Sequence, residues 1–381
     1  MKIFSKDTLA HTALKACFTR EGIIAGTHHF VDLWARDSLF ATFGANVIGH
    51  ENVSKKTIQT FLSYQRSDGL IPYLILRSKH TIGKYFHRPR YFLKPVPVFR
   101  SHMSFGIVPD GGLMTIIAMR SYVEHTKDRS FLKRHYMSLV RAFFWYEHRF
   151  GKGLVREWFQ CEWADALLKS GNTLYTNVLY FKAASDMSWM AAYLGKQMDA
   201  NRYAIFSKHI QKLINDTLWT GSFYADWKDW KRQDYFATHP NMLAIIFGLT
   251  TKKQAASILS KAKKDAWNGW TLVNSTPEYP FWRVTFLHIL IGLHDYHNGF
   301  IWLQPGILYS IALFVCKKRT EAKKVLLGIE DKIISFNGAY EVYERNSSPV
   351  RRRIYTSEHP FAWSAGLFVW AQDMLMVKKS V

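Results

Sequence analysis

The sequence predicts an all-α protein built as a closed double ring of helices, an (α/α)6 toroid. Three observations predict it. Apolar residues recur with helical rather than alternating spacing along most of the chain. The helical stretches are joined by short connections, such as Thr126-Lys-Asp128 and Leu249-Thr-Thr251. They also alternate in character. Met242-Leu-Ala-Ile-Ile-Phe247 and Leu308 to Val315 are apolar nearly all round, whereas Thr251 to Lys264 carries a charged face. A helix that is apolar all round belongs inside, and an amphipathic one lies against water. No sequence repeat supports the ring, so the prediction rests on this alternation.

In chain order, helices are predicted at roughly 38–48, 53–66, 111–125, 129–149, 172–195 and 199–219. Others follow at roughly 239–248, 251–264, 281–296, 306–316, 319–334 and 359–378. The exception is Ile71 to Pro109, where Pro89, Pro95, Pro97 and Pro109 rule out helix and imply an extended excursion, a lid or rim. No Gly/Ser tract or low-complexity run marks a linker, so residues 1–381 are expected to form one catalytic domain around one large core. Hydrophobic residues make up 48% of the chain and aromatics 16%, enough for that core and for an aromatic-lined groove.

Three scattered cysteines, Cys17, Cys161 and Cys316, fit neither a disulfide framework nor a zinc site. The start lacks the apolar segment of a secretion signal, so a cytoplasmic address is expected. Gly299 to Cys316 is uncharged, but Gln304-Pro-Gly306 interrupts it. The remaining apolar run is far shorter than the ~20 residues a spanning helix needs, which argues for a buried helix and no membrane.

The net charge is +22. Residues 69–109 hold no carboxylate but carry Arg77, Lys79, Lys84, Arg88, Arg90, Lys94 and Arg100. This excess reads either as general solubility or as a basic rim that selects an anionic or phosphorylated ligand. Nucleic acid is not the expected partner.

The chemistry lies where carboxylates meet Trp or Tyr: Trp34-Ala-Arg-Asp37, Glu162-Trp-Ala-Asp165 and Tyr340-Glu-Val-Tyr-Glu344, with Asp110 and Trp302-Leu-Gln304 before further apolar helices and Trp363 opening the last. Aromatic faces pack on pyranose rings while carboxylates accept hydroxyl protons and transfer them. Carbohydrate is the expected ligand and glycoside hydrolysis the expected reaction, with no cofactor and no metal. Asp165 is the candidate acid, because Trp163 and the neighbouring Glu162 both favour its protonated form. Its alternative role is to cap a following helix. The partner carboxylate is Glu341, Glu344 or Glu358, with Glu341 preferred for its apolar setting. Arg36 and Asp37 either fork around vicinal sugar hydroxyls or anchor a helix start as an ion pair. Trp34, Trp163, Trp302 and Trp363 are stacking candidates. His294 and His297 lack a third ligand and read as hydrogen-bonded histidines.

At these residues the chain resembles the six-hairpin α-glucosidases, above all the amylo-α-1,6-glucosidase domain of glycogen debranching enzymes. Trp34-Ala-Arg-Asp-Ser38 is similar to that family's sugar-binding W/G-R-D-[ST] element, Ser67-Asp-Gly-Leu-Ile-Pro72 to its D-G-L-x-P turn, and Pro109-Asp-Gly111 to its V-D-[AG] element. Glu162-Trp-Ala-Asp-Ala166 resembles the segment whose second Asp is the general acid. Tyr340 to Glu344 followed by Ala362-Trp-Ser364 resembles the ending whose Glu is the general base. The resemblance therefore implies Asp165 as acid and Glu341 as base in an inverting reaction, with carboxyls about 6.5–9.5 Å apart. Trp34, Arg36 and Asp37 are expected to hold the sugar of an α-linked glucoside, with Asp110, Trp163, Asn177, Trp302, Gln304 and Trp363 completing the pocket. Asn177 is kept, but Tyr175 stands where the debranching pattern has Glu. This departure, with no glucanotransferase or starch-binding region, implies a small oligosaccharide or glycoside. Two alternatives stay open: the same fold acting on an anionic or phosphorylated glycoside, and a non-catalytic binder of carbohydrate or nucleic acid.

Overall fold

A computed structural model describes residues 8–78 and 91–376. Among them are thirteen α-helices: α1 (Leu9–Ala16), α2 (Ala35–Val47), α3 (Glu51–Ser63), α4 (Asp110–Thr126), α5 (Arg129–Phe150), α6 (Leu174–Tyr193) and α7 (Gln197–Leu218), then α8 (Thr238–Ile246), α9 (Lys252–Lys261), α10 (Phe286–Leu290), α11 (Leu303–Val315), α12 (Arg319–Ser335) and α13 (Ala362–Met376). The predicted alternation is present. Helices α2, α4, α6, α8, α11 and α13 are buried on nearly every side, while α1, α3, α5, α7, α9 and α12 bury one stripe.

Each inner helix packs on the next, α2 on α4, α4 on α6, α6 on α8, α8 on α11 and α11 on α13. Helix α13 returns to α2 and closes the ring. The outer helices α1, α3, α5, α9 and α12 pack across the seams between inner neighbours and α7 packs along α6, which completes the (α/α)6 toroid. Closure requires a close approach between α2 and α13. A Cβ on Gly44 would collide with the Gly366 carbonyl oxygen, and one on Gly366 would lie 2.5 Å from the Ala41 Cα. Glycine on both helices lets their backbones meet.

Two-residue strands precede four of the six inner helices. Leu33–Trp34 leads into α2, Asn172–Thr173 into α6, Phe236–Ala237 into α8 and Ile301–Trp302 into α11. Within the 71–109 excursion the described residues include two strands, Leu74–Ser78 and Tyr91–Val98, while 79–90 lie outside the described residues. Strand Leu74–Ser78 pairs with both Leu33–Trp34 and Tyr91–Val98, so it ties Trp34 in place. Lys79, Lys84, Arg88 and Arg90 lie outside the described residues. Of the described cations there, Arg77 pairs with Glu21 and Arg100 donates to the Phe105 carbonyl.

Three segments depart from the prediction. The α1 helix is unpredicted, and 251–264 ends in a π-helical turn at Ala262–Ala266. The helix predicted over 281–296 is broken into a 3-10 turn, Phe281–Arg283, and the five-residue α10. Its backbone is committed elsewhere: Leu168 N–H donates to the Arg283 carbonyl at 2.6 Å, and Thr285 N–H to the Ala166 carbonyl at 2.9 Å. Gly292, at φ +72°, then turns the chain. Tertiary pairing with the Asp165 loop overrides local periodicity here.

Candidate active site

A pocket of about 260 Å³ opens at the end of the ring where α2, α11 and α13 begin. Trp34, Arg36, Asp37, Trp163, Asp165, Trp302, Glu341 and Trp363 all line it. Segments more than 300 residues apart in sequence thus share one wall, and Asp165 and Glu341 open on the same cavity.

Asp165 sits on a pinned turn. Leu167 N–H donates to the Ala164 carbonyl at 3.0 Å, and Ala166 N–H donates to His297 Nδ1 at 3.2 Å. That bond makes Nδ1 an acceptor, so the neutral imidazole carries its proton on Nε2. His297 is held neutral by burial, well below the usual range, and its Nδ1 lies 3.7 Å from Asp165 Oδ1. Asp165 caps no helix, since the next one begins at Leu174. Its side chain is 37% exposed, within a pocket-lining position. Desolvation by the pocket walls lifts its carboxyl to about 6; Arg36 opposes this and Glu162 adds to it.

Behind Asp165 lies a buried ionic network. Lys169 Nζ is 2.8 Å from Glu162 Oε1 and 2.7 Å from Asp226 Oδ2, and the Tyr279 hydroxyl donates to Asp226 at 2.7 Å. Burial acts against the Lys169 charge, but the two carboxylates hold it well above its ordinary value. Removing one partner from such a pair costs about 3–5 kcal/mol, because the other charge is left buried alone.

Glu341 immediately precedes strand Val342–Tyr343, which pairs with Ile301–Trp302; this ladder brings Glu341 beside Trp302. The Tyr296 and Tyr355 hydroxyls each donate to the Glu341 carboxylate, and the Glu358 N–H approaches it at 3.4 Å. Burial raises Glu341 to about 8, while the two hydroxyl donors favour its charged form. The rival carboxylates are committed elsewhere. Glu344 pairs with Arg352 at 2.9 Å, and Glu358 accepts the backbone N–H groups of His28 and His29 at 2.6 and 2.5 Å.

Arg36 turns away from Asp37. Its Nε lies 3.1 Å from Asp110 Oδ2, and its Nη1 donates to the Trp163 carbonyl at 3.1 Å. Asp37 is left facing the pocket, where burial raises it to about 7 against the pull of Arg36. Asp110 supports Arg36 from behind the wall. Asn177 is not among the lining residues: its amide bonds Val155 N–H, the Val155 carbonyl and the Thr173 carbonyl, at 2.8, 3.0 and 2.7 Å. Gln304 is fully buried at the start of α11, outside the lining.

The tryptophans form a cage. Trp163 meets Trp302 and Trp363 edge-on at 5.9 and 6.2 Å between centroids, and Trp302 stacks on His297 at 5.0 Å. The indole N–H groups of Trp34, Trp163 and Trp363 have no protein acceptor among the described residues. Sequence reasoning missed Tyr296, Tyr355, His288, Phe30 and Phe361, which also line the pocket. Phe30 and Phe361 lie in the stretches around Trp34 and Trp363, and Tyr355 lies near the Tyr340–Glu344 motif, but no local pattern pointed to Tyr296 or His288. From the 71–109 excursion, Met103 is the described residue that reaches the lining.

Among the described residues, His28, His29 and Glu358 form one group of metal-ligand type, with ligand atoms within 4.8 Å of one another. Both Glu358 oxygens already accept loop N–H groups, so this set serves to tie the loop.

A family model described as the bacterial α-L-rhamnosidase six-hairpin glycosidase domain matches residues 34–272. No curated protein matches the chain. Among solved structures, the mannosylglycerate hydrolase from Thermus thermophilus in complex with Tris and D-glycerate is similar, with a TM-score of 0.71 at 14% identity, covering 95% of this chain and 98% of that one. A rhamnosidase from Klebsiella oxytoca with rhamnose bound has a TM-score of 0.68 at 15% identity, covering 97% and 64%. A rhamnosidase from a Bacillus species has a TM-score of 0.66 at 18% identity, covering 95% and 34%. At these identities the structural likeness speaks for the fold. The family match spans more than half of the sequence, and the chain belongs to the bacterial α-L-rhamnosidase six-hairpin glycosidase domain family.

Proposed function

We propose that this protein is an inverting hydrolase of small α-linked glycosides, with Asp165 as general acid and Glu341 as general base. The observation that carries this reading is that both carboxyls line one aromatic-walled pocket. The reading divides the roles by environment. Glu341 gathers hydroxyl donors, as a carboxylate that activates water should, while Asp165 is the more exposed of the two, which suits protonation of a leaving oxygen. In this reading Asp37 accepts sugar hydroxyls, and the tryptophans stack on the ring. The cavity is slightly below the usual ~300–1,000 Å³ of small-molecule sites, which supports one sugar with a short extension rather than a polymer. An α-glucoside is the first candidate; the family match favours an α-L-rhamnoside as the second.

The test separates acid from base by leaving group. Asp165→Ala should lower kcat about 10²–10⁴-fold on an alkyl glycoside but much less on a glycosyl fluoride, whose departure needs little proton assistance. Glu341→Ala should lose activity on both. Equal losses for the two variants on both substrates would reject the assignment.

A further inference from the structure

We propose that the pocket mouth docks onto an anionic phospholipid bilayer through the 281–290 segment and the neighbouring Arg351–Ile354 loop. Elsewhere the exposed large apolar side chains are scattered, but five crowd into these ten residues: Phe281, Trp282, Phe286, Leu287 and Leu290, from 47 to 77% exposed. Leu287 also lines the pocket, so this apolar surface runs directly into the mouth. The second segment meets it at the rim, where His288 stacks on Tyr296 at 5.8 Å and Tyr296 packs edge-on against Tyr355 at 5.6 Å. Next to Tyr355, Arg351, Arg352, Arg353 and Ile354 are all exposed.

The charge around this surface indicates its occupant. Residues 279–294 and 345–354 contain no Asp or Glu. The flanking carboxylates are already engaged, Glu278 and Asp295 by Arg345 and Glu344 by Arg352. What faces outward is therefore aromatic and aliphatic surface edged by Arg351 and Arg353, which have no carboxylate partner among the described residues. Such a surface lies in a bilayer interface, with rings at headgroup depth and guanidinium groups on lipid phosphates. A second copy fits less well, because self-association would bring together two molecules of net charge +22 with no anion between them. No described helix is long and apolar enough to cross a membrane. Attachment to the surface is a different arrangement from spanning, and it departs from the expectation of no membrane.

The test is flotation of the full chain with vesicles of phosphatidylglycerol or of phosphatidylcholine. Trp282→Ser/Phe286→Ser/Leu290→Ser alters exposed side chains that do not line the pocket, and an unchanged Tm verifies its fold. The wild type should float with phosphatidylglycerol, more weakly at high salt, and hardly at all with phosphatidylcholine. The triple variant should lose at least about tenfold in partitioning, given the transfer energies of three such side chains. Arg351→Ser/Arg353→Ser should weaken binding to phosphatidylglycerol alone. Failure of the wild type to float would overturn the proposal, as would flotation that the triple variant retains. Lipid-free dimerisation abolished by the triple variant, without flotation, would reassign the surface to a second copy. None of these readouts depends on catalysis, so they stand or fall apart from the hydrolase reading.

Discussion

At the scale of single residues, the site is organised by unequal treatment of its carboxyls. Burial raises Asp165 to about 6 and Glu341 to about 8. The proposed mechanism needs Asp165 protonated and Glu341 ionised, whereas these values put the proton of the singly protonated pair mainly on Glu341; the active form is then the minor arrangement of that pair, and its population still peaks between the two values. The dependence of kcat/KM on pH should therefore be bell-shaped, with limbs near 6 and 8 that belong to the pair. Tyr355→Phe removes a donor that favours the Glu341 carboxylate, so the alkaline limb should move to higher pH. An unmoved limb would mean that Glu341 does not set it. Asp165, Glu341 and the tryptophan cage were legible in the sequence because each carboxylate lies within two residues of an aromatic. Tyr296 and Tyr355 were not, since a tyrosine that orients a carboxylate from another loop carries no local pattern. Arg36 illustrates the same limit: adjacency in sequence suggested Asp37 as its partner, yet the first turn of α2 directs it to Asp110, on α4.

At the scale of elements, periodicity located eleven of the thirteen described helices because each buries a face of its own. It failed at 281–296, where the backbone bonds the Asp165 loop rather than itself. The predicted helix is in fact part of the pocket wall. The α2–α13 contact offers a sharper comparison. A glycine-to-alanine change inside a helix gains about 1 kcal/mol from propensity, but forcing a methyl group into a packed contact costs about 1–3 kcal/mol. At Gly366 the contact should win, and Gly366→Ala should lower stability in chemical denaturation. At Gly328 on α12, the nearest atom to an added Cβ is the Trp270 carbonyl oxygen at 3.9 Å. Gly328→Ala should therefore raise stability by about 0.5–1 kcal/mol. Two changes of the same sign would refute this picture of ring closure.

At the scale of the whole molecule, the toroid concentrates buried acids at one end, and this governs its response to pH. Asp37, Glu157, Asp165 and Glu341 are raised to about 7, 8, 6 and 8, chiefly by desolvation. Because their folded values lie above the unfolded ones, the folded state binds more protons between about pH 4 and 8. Their stabilising contribution is complete below the unfolded values and is lost as pH rises through the folded ones. The Tm of the ligand-free protein should accordingly fall from about pH 5 to 9, as followed by scanning calorimetry. A Tm that rises over this interval would contradict the burial of these acids. The closed ring was legible in the sequence from alternating helix character; the glycine contact between α2 and α13 that closes it was not, because it joins the two ends of the chain.

The most direct test of the central claim is proton NMR of the sugar first released from a panel of isomaltose, maltose, trehalose and aryl α-L-rhamnoside, run beside Asp165→Asn. Release of the β-anomer from an α-glycoside, abolished by the substitution, is the predicted result. Release of the α-anomer, or hydrolysis that survives Asp165→Asn unchanged, would contradict inversion by the Asp165–Glu341 pair.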